Sequence, residues 1–199
     1  MLVTGFEPFP GAPVNPTQAL VQWLSKHPPR VEGMGALRAE VLPVEYGAVA
    51  PRLSRIGREF GPDIALHFGL ALGCNGFRLE RTARNRFAAA RPDNSGAMPP
   101  DGPICAGPAA LPSTLPLEAI HAALAAARLP VEWSDDAGGY LCNMAMTLSL
   151  ARACDGFNPR VCGFIHVPPV GAGEPLSMRD LRRGAGIVLS TTVAAWTAG

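Results

Sequence analysis

The sequence predicts an α/β fold, a three-layer α/β/α sandwich whose mostly parallel central sheet is covered by helices on both faces. Two observations support this prediction. Short apolar segments typical of buried strands alternate with amphipathic segments of helical period along the 199 residues. An early stretch also has the order strand, helix, strand, which is that of a βαβ unit. The length suits one domain, so we expect residues 1–199 to form a single domain.

The first half of the chain supplies the elements of this βαβ arrangement. Residues 2–4 form a strand, and the Pro/Gly-rich segment 5–11 favours a rigid loop because it can continue neither as sheet nor as helix. Asn15 followed by Pro16 is typical of a helix N-terminus, and this helix ends near Pro28. The next segments predict a strand at 37–44, a helix at 49–60 and a fully buried strand at 64–69.

The second half begins with residues 71–107, which lack a sustained period and predict a long loop with at most a short hairpin. A helix at 117–127 and a strand at 129–133 follow. We then expect a turn at 135–139, a helix to residue 153, a strand at 160–166 and a closing helix at 177–196. Ser177 and Asp180 suit a capping box for this last helix. Functional loops should gather where the parallel strands end.

Composition and charge argue against several classes of protein. Lys and Arg total 17 and Asp and Glu 16, so no strong field favours nucleic acid or an acidic membrane surface. The five cysteines contain no CxxC pair and the four histidines show no ligand spacing, so we predict reduced thiols and no metal. There is no signal-peptide pattern and no apolar run of about 18 residues. We therefore expect a cytoplasmic protein with a small or neutral partner.

Cys142 and His166 are candidates for nucleophilic chemistry, although neither is specific alone. Cys142 follows a Gly-Gly turn and opens a helix, where N–H groups and the helix dipole stabilise a thiolate and could donate to an oxyanion. A buried, inert thiol is the commoner role of an intracellular cysteine. His166 ends a strand just before Pro168 and could act as the base. A histidine bonded to backbone is as frequent there.

Three further residues could complete a site. Glu80 could hold the imidazole in its productive tautomer, although alone it is more typical of a surface carboxylate paired with a neighbouring arginine. Phe6 and Phe9 lie on the Pro/Gly-rich segment beside a strand end, where two rings could wall a small apolar ligand. They could equally belong to the core.

Taken together, these segments resemble the pyroglutamyl peptidase I family, and the resemblance runs from the first strand to the closing helix. The matching blocks are VTGFEPF at 3–9, NP at 15–16, ER at 80–81 with Ala83 and Asn85, PDN at 92–94, AGPAA at 106–110, STLP at 113–116, AGGYLCN at 137–143 and GFIHVP at 163–168. Glu, Cys and His also occur in the family's order. The resemblance therefore implies a catalytic triad of Glu80, Cys142 and His166.

The family's properties give further expectations for this chain. The resemblance implies a phosphorylase/hydrolase-like sandwich, a single catalytic domain and assembly as a homo-oligomer. It implies hydrolysis of the amide after an N-terminal 5-oxoproline residue of a peptide, through an acyl-enzyme and without a cofactor. Because the lactam is neutral, we expect its ring to pack against Phe6, Phe9 and Tyr140 while backbone groups bind its polar atoms.

The chain departs from the family's pattern at three places. Leu70 stands where many bacterial members have glutamine, so one polar contact with the substrate is missing. An ungapped alignment puts the arginine usually found near the oxyanion at Ala90, and Arg91 then replaces an apolar pocket residue. Either Arg91 supplies this charge from one position later, or transition-state stabilisation is weaker. Met144 replaces a frequent histidine, which we interpret as a packing change.

These departures leave three hypotheses for the function. The first is an active pyroglutamyl peptidase, favoured by the complete triad. The second is a thiol hydrolase of the same mechanism with a different acyl specificity, because Leu70 and Arg91 alter the expected pocket. The third is a protein that binds pyroglutamyl peptides with little or no turnover, because the family's arginine is displaced.

Overall fold

The structure of the chain, a computed structural model, describes residues 1–88 and 91–198. Strands and helices alternate along these residues much as the sequence predicts. They are β1 (Leu2–Phe6), α1 (Pro16–Lys26), β2 (Arg38–Leu42), α2 (Tyr46–Phe60), β3 (Ile64–Leu70), β4 (Phe77–Glu80), β5 (Thr82–Arg84), β6 (Ala110–Pro112), α3 (Leu117–Ala126), β7 (Val131–Ser134), α4 (Leu141–Leu150), β8 (Val161–Val167) and α5 (Met178–Ala198).

The central sheet has six strands in the order β2-β1-β3-β8-β4-β7. The first four strands are mutually parallel, whereas β4 pairs antiparallel with β8 and β7 pairs parallel with β4. The short strands β5 and β6 form a separate antiparallel pair. The prediction of a mostly parallel sheet is therefore confirmed, with a reversed pair of strands at one side.

Helices cover both faces of the sheet and bury one apolar cluster on each. On one face, α2 and α4 pack through residues such as Leu53 and Ala145. On the other face, α1, α3 and α5 pack through residues such as Leu20, Ile120 and Leu181. Successive residues of a strand point to opposite faces, so the inner strands are apolar on both sides. The three-layer α/β/α arrangement is confirmed.

The prediction of a long loop at 71–107 is wrong in part, because this segment contains two strands. The four residues of β4 lie inside the central sheet, between β8 and β7. Their pattern of Phe77 and Leu79 alternating with charged residues is too short to establish a period from sequence. Glu80 is therefore not a loop residue but the last residue of a buried strand, 0% exposed.

The first loop also begins later than predicted, since Gly5 and Phe6 belong to β1. Gly5 is needed for close packing rather than for a turn, because a Cβ atom there would clash with the backbone carbonyl of Thr17 in α1. The Thr17 hydroxyl accepts a hydrogen bond from the Phe6 N–H (3.1 Å), which ties the strand end to the helix start. Phe6 thus occupies a strand end, and Phe9 alone remains on the loop.

Both predicted helix caps are confirmed. Asn15 Oδ1 accepts a hydrogen bond from the Thr17 N–H at 3.1 Å, and Ser177 Oγ accepts one from the Asp180 N–H at 3.1 Å. Helix α2 starts three residues earlier than predicted because Asp93 Oδ2 accepts from the Tyr46 N–H at 2.7 Å. In the part of the chain that the structure describes, no helix combines the length and apolarity needed to span a membrane.

Candidate active site

A cavity of about 110 Å³ opens beside the carboxyl ends of β1, β3 and β8, where the parallel strands were expected to present functional loops. Its lining includes all but one of the predicted site residues. The lining residues are Phe6, Phe9, Asn15, Val44, Leu70, Arg91, Ala137, Tyr140, Leu141, Cys142 and His166. The cavity is far smaller than the roughly 300–1,000 Å³ of sites for drug-sized ligands, so it suits a single small ring.

Cys142 is the second residue of α4, and Tyr140, Leu141 and Cys142 at the start of this helix line the cavity. Tyr140 is the N-cap in an extended conformation, and the Met144 N–H makes the first intrahelical hydrogen bond, to the Tyr140 carbonyl at 3.0 Å. The backbone N–H groups of residues 141–143 therefore precede the intrahelical ladder. Gly138, with φ of +81°, permits the turn that brings the chain into the helix.

The Cys142 sulfur lies directly over strand β3. A Cβ atom at Gly69 would be 2.8 Å from the Cys142 Sγ and 2.6 Å from the Phe164 ring. Gly69 pairs with His166 across β3 and β8, so the thiol and the imidazole meet on the same face of the sheet. Glycine at this position is therefore what gives the sulfur room beside His166.

Glu80 is the predicted site residue that does not line the cavity, and it contacts His166 from inside the sheet. The His166 Nδ1 and the Glu80 Oε1 are 2.8 Å apart, and the two residues are 6% and 0% exposed. An ionised carboxylate can only accept, so Nδ1 carries the proton and Nε2 remains for the thiol. Among the described residues, Glu80 Oε2 has no hydrogen-bond partner.

The surroundings of His166 favour its protonated form. Burial lowers the pKa of His166, but the charge and hydrogen bond of Cys142, followed by those of Glu80, outweigh this effect and raise the pKa to about 9. An imidazolium beside the sulfur can hold the proton that a thiol gives up on forming a thiolate. The arrangement can therefore generate a nucleophile and keep a proton ready for a leaving group.

His67 is a second buried histidine, and comparing it with His166 shows which neighbouring groups raise the pKa of a buried imidazole. Its Nδ1 lies 2.7 Å from the Thr4 hydroxyl and its Nε2 lies 2.9 Å from the Ser149 hydroxyl. These neutral partners do not offset burial, which lowers the pKa of His67 to about 4. His67 is thus a neutral support that stacks on Phe164, with ring centroids 6.2 Å apart.

Aromatic side chains wall the cavity, and Arg91 stands against them. The rings of Phe9 and Tyr140 meet edge to face with centroids 6.2 Å apart. The Arg91 guanidinium carbon lies 3.7 Å from the centroid of Tyr140 and 5.1 Å from that of Phe9. Leu70 contributes an apolar contact and is 7% exposed. Ala90, to which the alignment assigned the displaced arginine, lies outside the described residues.

Two residues that position the site were not singled out from sequence. The Asn143 side chain accepts from the Arg84 N–H (2.8 Å) and donates to the carbonyls of Arg84 (2.7 Å) and Arg86 (3.1 Å), so it ties α4 to β5. Asp93 holds the segment after Arg91 to α2 through the Tyr46 N–H. Both lie in blocks that carried the family resemblance, which was the available signal. Met144 is buried in the apolar cluster on the α4 face.

Among the described residues, no group of three or more His, Cys, Asp or Glu side chains could hold a metal ion. The site instead combines a cysteine at a helix N-terminus with a buried histidine–carboxylate pair and a small aromatic cavity. In an α/β sandwich, this combination is typical of hydrolases that act through an activated thiol.

Comparison with known proteins identifies the family. The family model described as "Pyroglutamyl peptidase" matches residues 1–198, and the chain therefore belongs to the pyroglutamyl peptidase family. It is 41% identical to a pyrrolidone-carboxylate peptidase of Pyrococcus furiosus over 169 residues, which cover 84% of this chain and 80% of that protein. It is 35% identical to the pyrrolidone-carboxylate peptidase of Clavibacter michiganensis over 201 residues, covering 98% of this chain and 92% of that protein.

Solved structures agree with this assignment. The pyrrolidone carboxyl peptidase from Thermus thermophilus superposes with a TM-score of 0.84 at 39% identity. The comparison covers 96% of this chain and 98% of that one. The fold expected from the family resemblance is thereby confirmed over nearly the whole chain.

Proposed function

We propose that this chain is a cysteine exopeptidase that hydrolyses the amide bond after the N-terminal pyroglutamyl residue of a peptide. The observation that carries the proposal is that Cys142 and His166 line the same small aromatic cavity, with the His166 imidazole 2.8 Å from the Glu80 carboxylate. Residues 1–199 would form the single catalytic domain. Membership in a family of peptidases supports the reaction class, and the site geometry supports the roles proposed for the residues.

The proposed mechanism assigns one role to each member of the Glu80, Cys142 and His166 triad. The Cys142 thiolate attacks the carbonyl carbon of the scissile amide, and the oxyanion accepts hydrogen bonds from N–H groups at the start of α4. His166 gives its proton to the departing amine, which leaves an acyl-enzyme. A water molecule activated by His166 then releases the acid. Glu80 keeps the imidazole in the tautomer that these transfers require.

The proposed recognition of the pyroglutamyl group rests on shape rather than charge. The lactam ring is neutral and compact, as the 110 Å³ cavity requires. Its faces would pack against Phe6, Phe9 and Tyr140, while backbone groups bind its N–H and C=O. Arg91 lines the same cavity. No cofactor takes part in this proposal.

A thiol hydrolase of the same mechanism with a different acyl specificity is the second candidate. The observation that favours it is the buried Leu70 in the cavity wall, an apolar contact where the family resemblance implies a polar side chain. An acyl group less polar than the lactam would suit this wall better. The two candidates therefore differ in the acyl group and not in the chemistry.

The test is turnover of reporters that release a fluorescent amine from pyroglutamyl, prolyl, glutaminyl and simple acyl amides. We expect the pyroglutamyl reporter to be the best substrate, and Cys142→Ala to reduce its turnover by more than about a thousandfold. Preference for another reporter would favour the second candidate. Folded protein that binds a pyroglutamyl peptide without cleaving any reporter between pH 6 and 9 would make the chain a binding protein.

The proposal also includes the assembly and the compartment. The family resemblance implies a homo-oligomer, which sedimentation velocity would detect. All five cysteines are free thiols, which suits a reducing compartment such as the cytoplasm. The partners are peptides with N-terminal pyroglutamate, and neither nucleic acid nor a membrane is part of the proposal.

A further inference from the structure

Arg91 places a positive charge at a cavity whose proposed occupant is a neutral ring. The guanidinium lies 3.7 Å from the centroid of the Tyr140 ring and lines the cavity together with Cys142, while the residue as a whole is exposed. At this distance the guanidinium contacts the Tyr140 ring. It has five N–H donors, and because the residue is exposed, donors that Tyr140 does not use can reach a ligand.

None of the ion pairs among the described residues involves Arg91. Asp93 is near in sequence, but it is 3% exposed, and its oxygens accept hydrogen bonds from Tyr46, Ser95 and Ala97. This carboxylate is therefore already bound to the backbone and to Ser95. The charge of Arg91 is left for a ligand.

The acidic residues after β7 would not repel a negatively charged ligand strongly. Asp135 pairs with Arg81, and Asp136 lies 4.0 Å from Arg84, so each of these carboxylates has a cation beside it. Both aspartates are close to the turn that leads into α4 and Cys142. Arg91 is therefore the cation at the cavity that has no carboxylate among the described residues to neutralise it.

The position of Arg91 favours the part of the substrate that lies outside the ring pocket. In the proposed mechanism the N–H groups at the start of α4 bind the oxyanion, and aromatic side chains enclose the pyroglutamyl ring. The peptide beyond the scissile bond must leave through the open side of the cavity, which is where an exposed guanidinium can meet it. Carboxylates are the groups that a guanidinium fork binds best.

We propose that Arg91 binds a carboxylate on the residue that follows the pyroglutamyl group, and so makes the enzyme prefer acidic substrates. The inference rests on the proposed function and names its substrate class. The carboxylate has two sources, the side chain of Asp or Glu in that position and the free α-carboxylate of a dipeptide. Both place a negative charge a few bonds beyond the scissile amide.

The experiment compares three pyroglutamyl dipeptides that differ only in charge. Pyroglutamyl-glutamine amide is the neutral reference, pyroglutamyl-glutamate amide carries the side-chain carboxylate, and pyroglutamyl-glutamine carries the α-carboxylate. We expect kcat/KM of one charged peptide to exceed that of the neutral reference by about five- to tenfold. This factor lies between the effect of an exposed ion pair and that of a hydrogen bond to a charged group. The preferred peptide identifies the source, and added salt should reduce the preference.

Variants then assign the preference to Arg91. Arg91→Gln should bring the ratio of charged to neutral peptide to about one, while Arg91→Lys should keep part of it because the charge remains. Arg86→Gln is the matched control, since Arg86 is an exposed arginine of the same segment that does not line the cavity. We expect this control to leave the ratio within about twofold of the unmodified enzyme.

The outcomes separate this inference from the proposed function. If the neutral peptide is cleaved as well as both charged ones, or if Arg91→Gln keeps the preference, Arg91 does not bind the carboxylate although the peptidase activity stands. If Arg86→Gln removes the preference as fully as Arg91→Gln, the effect is a general field and the inference fails. If none of the three peptides is cleaved, the proposed function and the inference fall together.

Discussion

Replacing Gly69 with alanine adds one methyl group next to the proposed nucleophile. The new Cβ would be 2.8 Å from the Cys142 Sγ and 2.6 Å from the Phe164 Cζ, and real Cβ atoms essentially never approach other atoms closer than 3.0 Å. Both contacts are too short, so the ring and the sulfur must both give way. Phe164 is 0% exposed in a packed core, so moving it costs stability, whereas the partly buried Cys142 thiol can move further.

The size of the effect follows from this displacement. The optimal separation of non-bonded heavy atoms is about 3.5–4.0 Å, so the sulfur must move by roughly 1 Å from its position beside His166. A misplacement of about 1 Å in an active site can reduce the rate about a hundredfold. Adding a methyl group to a well-packed core also costs about 1–3 kcal/mol of stability. We expect both losses in Gly69→Ala.

Gly163→Ala is the matched control, because it adds the same methyl group to the neighbouring strand on the opposite face. Its Cβ would clash with Ser113 and lie 2.8 Å from the Leu115 Cδ1, away from the thiol. Urea unfolding should give similar losses of stability for the two variants. The kcat/KM on the pyroglutamyl reporter should fall about a hundredfold for Gly69→Ala and by less than about threefold for Gly163→Ala. Equal kinetic losses would refute the placement of the nucleophile against β3.

Two further predictions concern the groups around the thiol. Since the pKa of His166 is raised from 6.5 to about 9, its imidazolium should stabilise the fold fully below pH 6.5 and lose this effect as the pH rises through 9. The imidazolium is also the proposed proton donor, so kcat/KM should fall as the pH rises towards 9. Glu80→Gln should move this fall to lower pH, because Glu80 is one of the groups that raise the pKa of His166. An unmoved profile would contradict the role of Glu80. Asn143→Ala removes three hydrogen bonds to the backbone of Arg84 and Arg86. The free energy of unfolding measured in urea should fall by about 1–3 kcal/mol, and turnover should fall as well. A loss below about 0.5 kcal/mol would contradict the positioning role of Asn143.

The layered architecture could be predicted from the sequence because its signals are local and repeated. Segments such as β3 and β8 are apolar on both faces, which is typical of inner parallel strands, and the Asn15–Pro16 start marks α1. Strand β4 could not be found in this way. It has four residues, and its place between β8 and β7 is set by long-range pairing that leaves no local pattern.

Some residues of the candidate site could be predicted from local sequence features, and others could not. Cys142 at a helix start and His166 at a strand end are local features, and the topology brings such ends to one edge. Gly5 was predicted to lie in a loop but belongs to β1, where glycine is needed because α1 approaches closely, and local sequence does not reveal that approach. The bonds of Asn143 join residues 57 and 59 positions apart, so only the family's block pointed to that side chain.

The reversal of β4 explains how a carboxylate can contact His166 while being fully enclosed. Because β4 runs antiparallel to β8, Glu80 pairs with Phe164 and lies deeper in the sheet than His166, whose partner on β4 is Arg78. A parallel strand would have carried its last residue to the open edge, where water competes for the carboxylate. Burial of an unpaired charge costs several kcal/mol, and among the described residues the bond to His166 is the compensation that Glu80 has. The pair that tunes the proposed base is therefore also a pair that the fold must keep intact, which ties the reactivity of Cys142 to the correct assembly of the sheet.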